Sequence, residues 1–102
     1  MASGIIHKTV FETVTSKSEN QTLAAGDSLS VSWTATKQGY FPIGIVGWRV
    51  GWVSGGTSQI VITRVRLQNI ATGSVTIDFA LHNPGPPNSG FFMEADILWM
   101  KE

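Results

Sequence analysis

Two pairs of charged or polar residues in this chain have a spacing that chemistry could use. Asp78 and His82 lie four residues apart in a stretch that alternates apolar and polar residues, a pattern typical of a β-strand. On a strand this spacing places both side chains on one face but about 13 Å apart, too far for direct contact. We therefore interpret them as solvent-facing residues opposite a core stripe, rather than as two members of a Ser-His-Asp triad.

Glu94 and Asp96 form the second pair and share one face of a predicted strand, with Cα atoms about 6.6 Å apart. Paired carboxylates of this kind could serve acid-base catalysis or bind calcium. No Asp-rich calcium loop or second acidic cluster accompanies them, and the chain has no cysteine. We favour cross-strand ion pairs with Arg64 and Arg66, which also share a face. The chain is predicted to have no catalytic residue, metal or cofactor.

Aromatic residues offer a different chemistry, because their rings can stack on sugars or on another protein. Trp33 and Trp99 alternate in register with aliphatic residues and are predicted to lie in the core. The parity of Trp48 and Trp52 also favours burial, although a sugar-stacking platform stays open as an alternative. The predicted ligand-binding residues flank turns or lie on a glycine-rich strand: Tyr40, Phe41, Arg49, Trp52, Phe91 and Phe92.

The glycine-rich strand lies within residues 39–53, an aromatic turn followed by a strand-like run. Bulky residues at even positions from 46 to 52 alternate with Gly47, Arg49 and Gly51. We expect one face to be buried, whereas the nearly bare face lets another backbone or a ligand approach closely.

Period-two alternation dominates the rest of the chain, with no helical stripe. The glycine turn at 54–58 predicts a hairpin between the strands on either side of it. Short strands joined by turns predict an all-β fold, an antiparallel, jelly-roll-like β-sandwich of about six to eight strands that occupies residues 1–102 as a single domain. The strands are expected at about 4–16, 28–36, 43–53, 59–68, 74–82 and 91–101.

The composition indicates which kinds of partner the protein surface can contact. Asp, Glu, Lys and Arg make up 14% of the residues, against roughly 25% in ordinary domains, and 42% of the chain is apolar. We infer that another subunit or a neighbouring domain covers part of the surface, and of the two a homo-oligomer is expected. The balanced, dispersed charges predict no nucleic-acid partner. The absence of a long apolar run predicts no membrane insertion and no signal peptide.

Three segments carry a family resemblance: residues 39–47, Leu81-His82-Asn83 before a Gly/Pro/Ser loop, and the hydrophobic end at 97–101. They resemble the small β-sandwich domains of bacteriophage tail fibre, baseplate and receptor-binding proteins. The resemblance implies a non-enzymatic virion component that forms a homo-oligomer, with a trimer favoured. Without a signal peptide, it is expected to be made in the host cytoplasm. Its expected partners are other virion proteins or a host-surface glycan. The alternative function is a monomeric carbohydrate-binding module.

Overall fold

The chain folds into two antiparallel β-sheets that pack face to face. The computed structural model describes residues 9–55, 60–86 and 88–102, none of which is helical. The all-β sandwich is therefore confirmed. Its strands are β1 (Phe11–Lys17), β2 (Gln21–Leu23), β3 (Ser28–Thr36), β4 (Tyr40–Gly55), β5 (Val61–Ala71), β6 (Ser74–His82) and β7 (Ser89–Lys101).

Each sheet is organised around one central strand. In the first, sheet A, β1 and β2 follow one another along one edge of β7, and β4 pairs along the other edge. In the second, sheet B, β6 lies between β3 and β5. The first and last strands are thus neighbours, and the chain repeatedly crosses between the sheets, an arrangement related to the jelly roll.

The observed strand bounds agree with the predicted ones where a strand has one apolar and one polar face. β3 and β6 begin and end at the predicted residues, whereas β4 begins before the expected residue 43. The three residues of β2 are too few to show alternation, so the sequence does not predict this strand. The predicted first strand begins at residue 4, but residues 4–8 lie outside the described part of the chain.

The predicted hairpin around residues 54–58 is wrong. β4 pairs with β7 in sheet A, whereas β5 pairs with β6 in sheet B, so the connection crosses between the sheets. Residues 56–59 of this connection lie outside the described residues. Glycine-rich turns permit such a crossing as readily as a tight hairpin. The actual hairpin joins β5 to β6, where Thr72 and Gly73 form a two-residue turn and Gly73 has a φ of 81°.

The core lies between the inner faces of the two central strands. Trp33 of β3 stacks on Phe79 with ring centroids 5.7 Å apart, and its Nε1–H donates to Ser16 Oγ at 2.9 Å. The alternation therefore predicts the core of both central strands correctly, Trp99 included. Nine inner side chains of β6 and β7 are exposed by 1% or less: Val75, Ile77, Phe79, Leu81, Phe91, Met93, Ala95, Ile97 and Trp99.

The predicted bare face of β4 is occupied by side chains of β7. An added Cβ would lie 2.2 Å from the Phe92 ring at Gly51 and 2.9 Å from Asp96 Oδ2 at Gly47. At Gly44 it would meet nothing within 4 Å. Two of these glycines therefore make room for neighbours in the same sheet rather than for an external ligand or backbone, which corrects the expectation from sequence.

Replacing Gly51 should disturb this packing. We expect Gly51→Ala to lower the free energy of unfolding by about 1–2 kcal/mol, because the Phe92 ring must move away from the new methyl group. The control Gly44→Ala makes the same change on the same strand in open space, and should leave the stability unchanged or raise it by up to about 1 kcal/mol. Urea denaturation measures both, and equal stabilities would contradict the packing.

Candidate functional site

The predicted ligand-binding residues do not converge on one site. By their pairing with β7, Phe41, Arg49 and Phe92 point outward from sheet A. Trp52 lies on the opposite side of β4 and is 43% exposed. Tyr40 packs half-buried against the core, where a hydrogen bond with the carboxylate of Glu12 raises its pKa.

Phe91, the remaining predicted ligand-binding residue, is not on the surface. Its side chain is fully buried in the core. The prediction placed it beside a turn, but β7 begins earlier, at Ser89, and the alternation of that strand turns Phe91 inward. Its neighbour Phe92 points outward over Gly51, with Lys17 Nζ 5.5 Å from its ring centroid.

The acidic residues of β7 pair with Arg49 of the adjacent strand. Arg49 Nη1 donates to Asp96 Oδ2 at 2.9 Å, and its Nε lies 3.5 Å from Glu94 Oε1. Thr15 Oγ1 donates to Asp96 Oδ1 at 2.6 Å. Hydrogen bonds from Arg49 and Thr15 hold the pKa of Asp96 below its usual value. The cluster is partly exposed, so its ion pairs contribute little to stability.

The ion pairs predicted between Glu94 or Asp96 and Arg64 or Arg66 do not form. The two acids belong to β7 of sheet A, whereas the two arginines belong to β5 of sheet B. Alternation indicates which side chains share a face of one strand, but it does not indicate which strands share a sheet.

Arg64 and Arg66 instead bind Asp78, which lies at the centre of the outer face of sheet B. The Asp78 side chain is only 4% exposed, and its Oδ2 accepts from Arg64 Nε at 2.9 Å and from Arg66 Nε at 2.8 Å. Arg64 Nη2 lies 2.9 Å from the same oxygen, and Ser32 Oγ donates to Oδ1 at 2.8 Å. Burial raises the pKa of Asp78, but the hydrogen bonds from Ser32, Arg66 and Arg64 outweigh it, so the pKa lies below its usual value.

A shallow depression of about 360 Å³ lies next to this cluster. Ala80 lies among its lining residues and pairs in register with Ser30 on one side and with Arg64 on the other, although Arg64 itself does not line the depression. At the far end, Ser28 Oγ and His82 Nδ1 are hydrogen-bonded at 2.9 Å. Since Asp78 is bound by arginines, it does not orient His82. The lining residues are Ser28, Leu29, Ser30, Thr63, Ala80, Leu81 and His82.

The predicted burial of Trp48 and Trp52 is wrong, since 48% and 43% of these residues are exposed. Both lie on the inner side of β4, as predicted from their parity, but sheet B covers only part of this side, where Ile45 and Val50 pack against the core. Each of Ile43, Val46 and Val53 is the extra residue of a β-bulge and is also exposed. We call these five residues the β4 apolar strip.

No protein-family model, curated protein or solved structure matches the chain. Within the described residues, no group of three or more acidic or histidine side chains could hold a metal ion. The same part of the chain has no helix long and apolar enough to cross a membrane. A function is therefore inferred from the β4 apolar strip and from the outer face of sheet B.

The two arginine-bound carboxylates should differ in their effect on stability. We expect Asp78→Asn to lower the free energy of unfolding by about 2–3 kcal/mol, because the neutral amide leaves two guanidinium groups without a negatively charged partner. Asp96→Asn makes the same change in a more exposed cluster and should cost much less. Urea denaturation at neutral pH compares them, and equal losses would show that the burial of Asp78 has no energetic consequence.

The stabilisation by Asp78 should also depend on pH. Its folded-state pKa lies below the ordinary value of 3.8, so the contribution is complete above that value and is lost as the pH falls through the folded-state pKa. Below about pH 4 the wild-type chain should therefore lose stability more steeply than the Asp78→Asn variant. Parallel stability curves for the two proteins would contradict this assignment.

Proposed function

We propose that this chain is a non-enzymatic structural or receptor-binding domain of a bacteriophage tail-associated particle, and that it associates with copies of itself through the β4 apolar strip. The strip is the observation that carries the proposal. Its five large apolar residues, all on one edge strand of sheet A, are each 43% to 57% exposed. The phage context is supported by the sequence resemblance.

Burial of the β4 apolar strip would make a favourable free-energy contribution to association. Burial of apolar surface contributes about 25 cal/mol per Å², and an aromatic side chain buries about 150–250 Å². Trp48 and Trp52 together, each nearly half exposed, could therefore add several kcal/mol per copy before the entropic cost of association. The scarcity of ionised side chains in the chain lowers the desolvation cost of such an interface.

The geometry of β4 disfavours an open-ended assembly formed by strand-to-strand pairing. Bulges interrupt its ladder with β7 at three positions, and bulged edge strands resist continuous strand-to-strand pairing with another chain. If side-chain contacts between copies are repeated around a rotation axis, the assembly closes into a ring. The fold measures 66 × 21 × 19 Å, and its 16-residue β4 suits copies packed side by side. A trimer, implied by the resemblance, fits these features.

The solution mass tests this assembly. Light scattering should give a trimer for the wild-type protein at micromolar concentration and a smaller species for Trp48→Lys, because the new charge lies within the strip. The control Ile70→Lys alters a residue of β5 that is 49% exposed but lies outside the strip, and should leave the mass unchanged. A wild-type monomer, or equal dissociation of both variants, would contradict the proposal.

A monomeric carbohydrate-binding module is the second candidate, and the exposure of Trp48 and Trp52 favours it. The two residues lie on one side of β4 with Cα atoms about 13 Å apart, so both could stack on an extended polysaccharide. Their fluorescence should then shift on addition of a neutral polysaccharide, and the shift should be reduced in Trp52→Ala. A monomer without any such shift would exclude this function.

A further inference from the structure

The outer face of sheet B combines features that point to a ligand. Every outward side chain of β3 carries a hydroxyl group, and β6 adds Ser74 and Thr76. These side chains are short, and a hydroxyl group can both donate and accept a hydrogen bond, although that of Ser32 already donates to Asp78. The outward residues of β3 are Ser28, Ser30, Ser32, Thr34 and Thr36.

The same face carries a net positive charge. Asp78 is the only carboxylate on β3, β5 and β6, and it neutralises one of the two arginines that bind it. The side chains of Arg64 and Arg66 remain 41% and 52% exposed. Among the described residues, neither Nη group of Arg66 nor Nη1 of Arg64 has a hydrogen-bond partner. These donors are therefore available to an anion.

The depression around Ala80 lies beside Arg64 and provides a place for the sugar that carries such an anion. Its volume of about 360 Å³ lies at the small end of the range of ligand pockets and is large enough to hold a sugar ring. Ser30 and Thr63 are among its lining residues, although Thr63 Oγ1 already donates to the backbone oxygen of Ala80 at 3.1 Å, and Arg64 pairs in register with Ala80. The common carboxylate of Asp78 holds both arginines in place, so little side-chain entropy remains to be lost on binding.

We propose that this face binds an acidic polysaccharide. The guanidinium groups of Arg64 and Arg66 bind an oxyanion of the polymer, either a carboxylate or a phosphate, because guanidinium geometry matches both. The hydroxyl groups around Ala80 bind the hydroxyls of the sugar. This inference rests on the proposed function, in which it assigns the receptor-binding surface. The face shares no residue with the β4 apolar strip, so assembly through the strip leaves these residues unused.

Titration calorimetry with three polymers tests the proposal. Polygalacturonate presents carboxylates, poly(glycerol phosphate) presents phosphates, and dextran is neutral. We expect at least one acidic polymer to bind, with an affinity that falls as salt is added, and dextran not to bind. Whichever acidic polymer binds identifies the oxyanion. Absence of binding to both acidic polymers, or equal binding of dextran, would overturn the proposal.

Three variants locate the binding surface. Arg66→Gln should weaken binding by about tenfold or more, whereas the control Lys17→Gln, which removes a cation from β1 of sheet A, should not change it. Because Arg66→Gln also disturbs Asp78, Ala80→Leu serves as a second test: it fills the depression without a change of charge and should also weaken binding. Circular dichroism confirms folding of each variant. Wild-type affinity in both folded variants of sheet B would overturn the assignment.

Light scattering on the same samples separates this inference from the proposed assembly. A protein that remains oligomeric but binds neither acidic polymer would overturn the polysaccharide site alone. A monomer that binds through Arg66 would support the site and contradict self-association through β4.

Discussion

The pairing of β7 on both of its edges is the constraint on which the rest of the structure depends. β7 is the last strand, yet it holds β1 and β2 on one edge and β4 on the other, so sheet A forms only when the two ends of the chain meet. Its alternation sends Phe91, Met93 and Trp99 into the core and turns Phe92 and Asp96 outward against the glycines of β4. One strand thus determines both the core and the packing of the outer face of sheet A.

The exposed apolar surface follows from the same arrangement. Sheet B leaves part of the inner side of β4 uncovered, and the bulges of β4 turn further aliphatic residues to the solvent. Trp48 has the parity of a core residue but no opposing sheet to pack against. A narrow sandwich with few charged residues therefore leaves apolar area that another copy of the chain can cover. The outer face of sheet B is different, since hydroxyl groups and two arginines make it suited to a polar ligand.

The sequence predicts the parts of this fold that depend on local alternation. β3 and β6 have one apolar and one polar face, so their bounds and core residues follow from the pattern alone. The errors concern contacts between distant segments. Parity cannot show that β4 and β5 join different sheets, that Trp48 lies beyond the cover of sheet B, or that Arg64 and Arg66 meet Asp78 rather than Asp96. The candidate polar site depends on the contact of Asp78 with Arg64 and Arg66. In the sequence, only the position of the two arginines on one strand face pointed to this contact.

The central claim is that copies of the chain cover the β4 apolar strip, and acrylamide quenching of tryptophan fluorescence tests it most directly. A Val46→Lys variant keeps all four tryptophans but places a charge within the strip. In concentrated solution, Trp48 and Trp52 of the wild-type protein should be protected from acrylamide, and the variant should be quenched more strongly. Equal and strong quenching of both proteins would show that the strip faces water in the wild-type protein and would contradict the account.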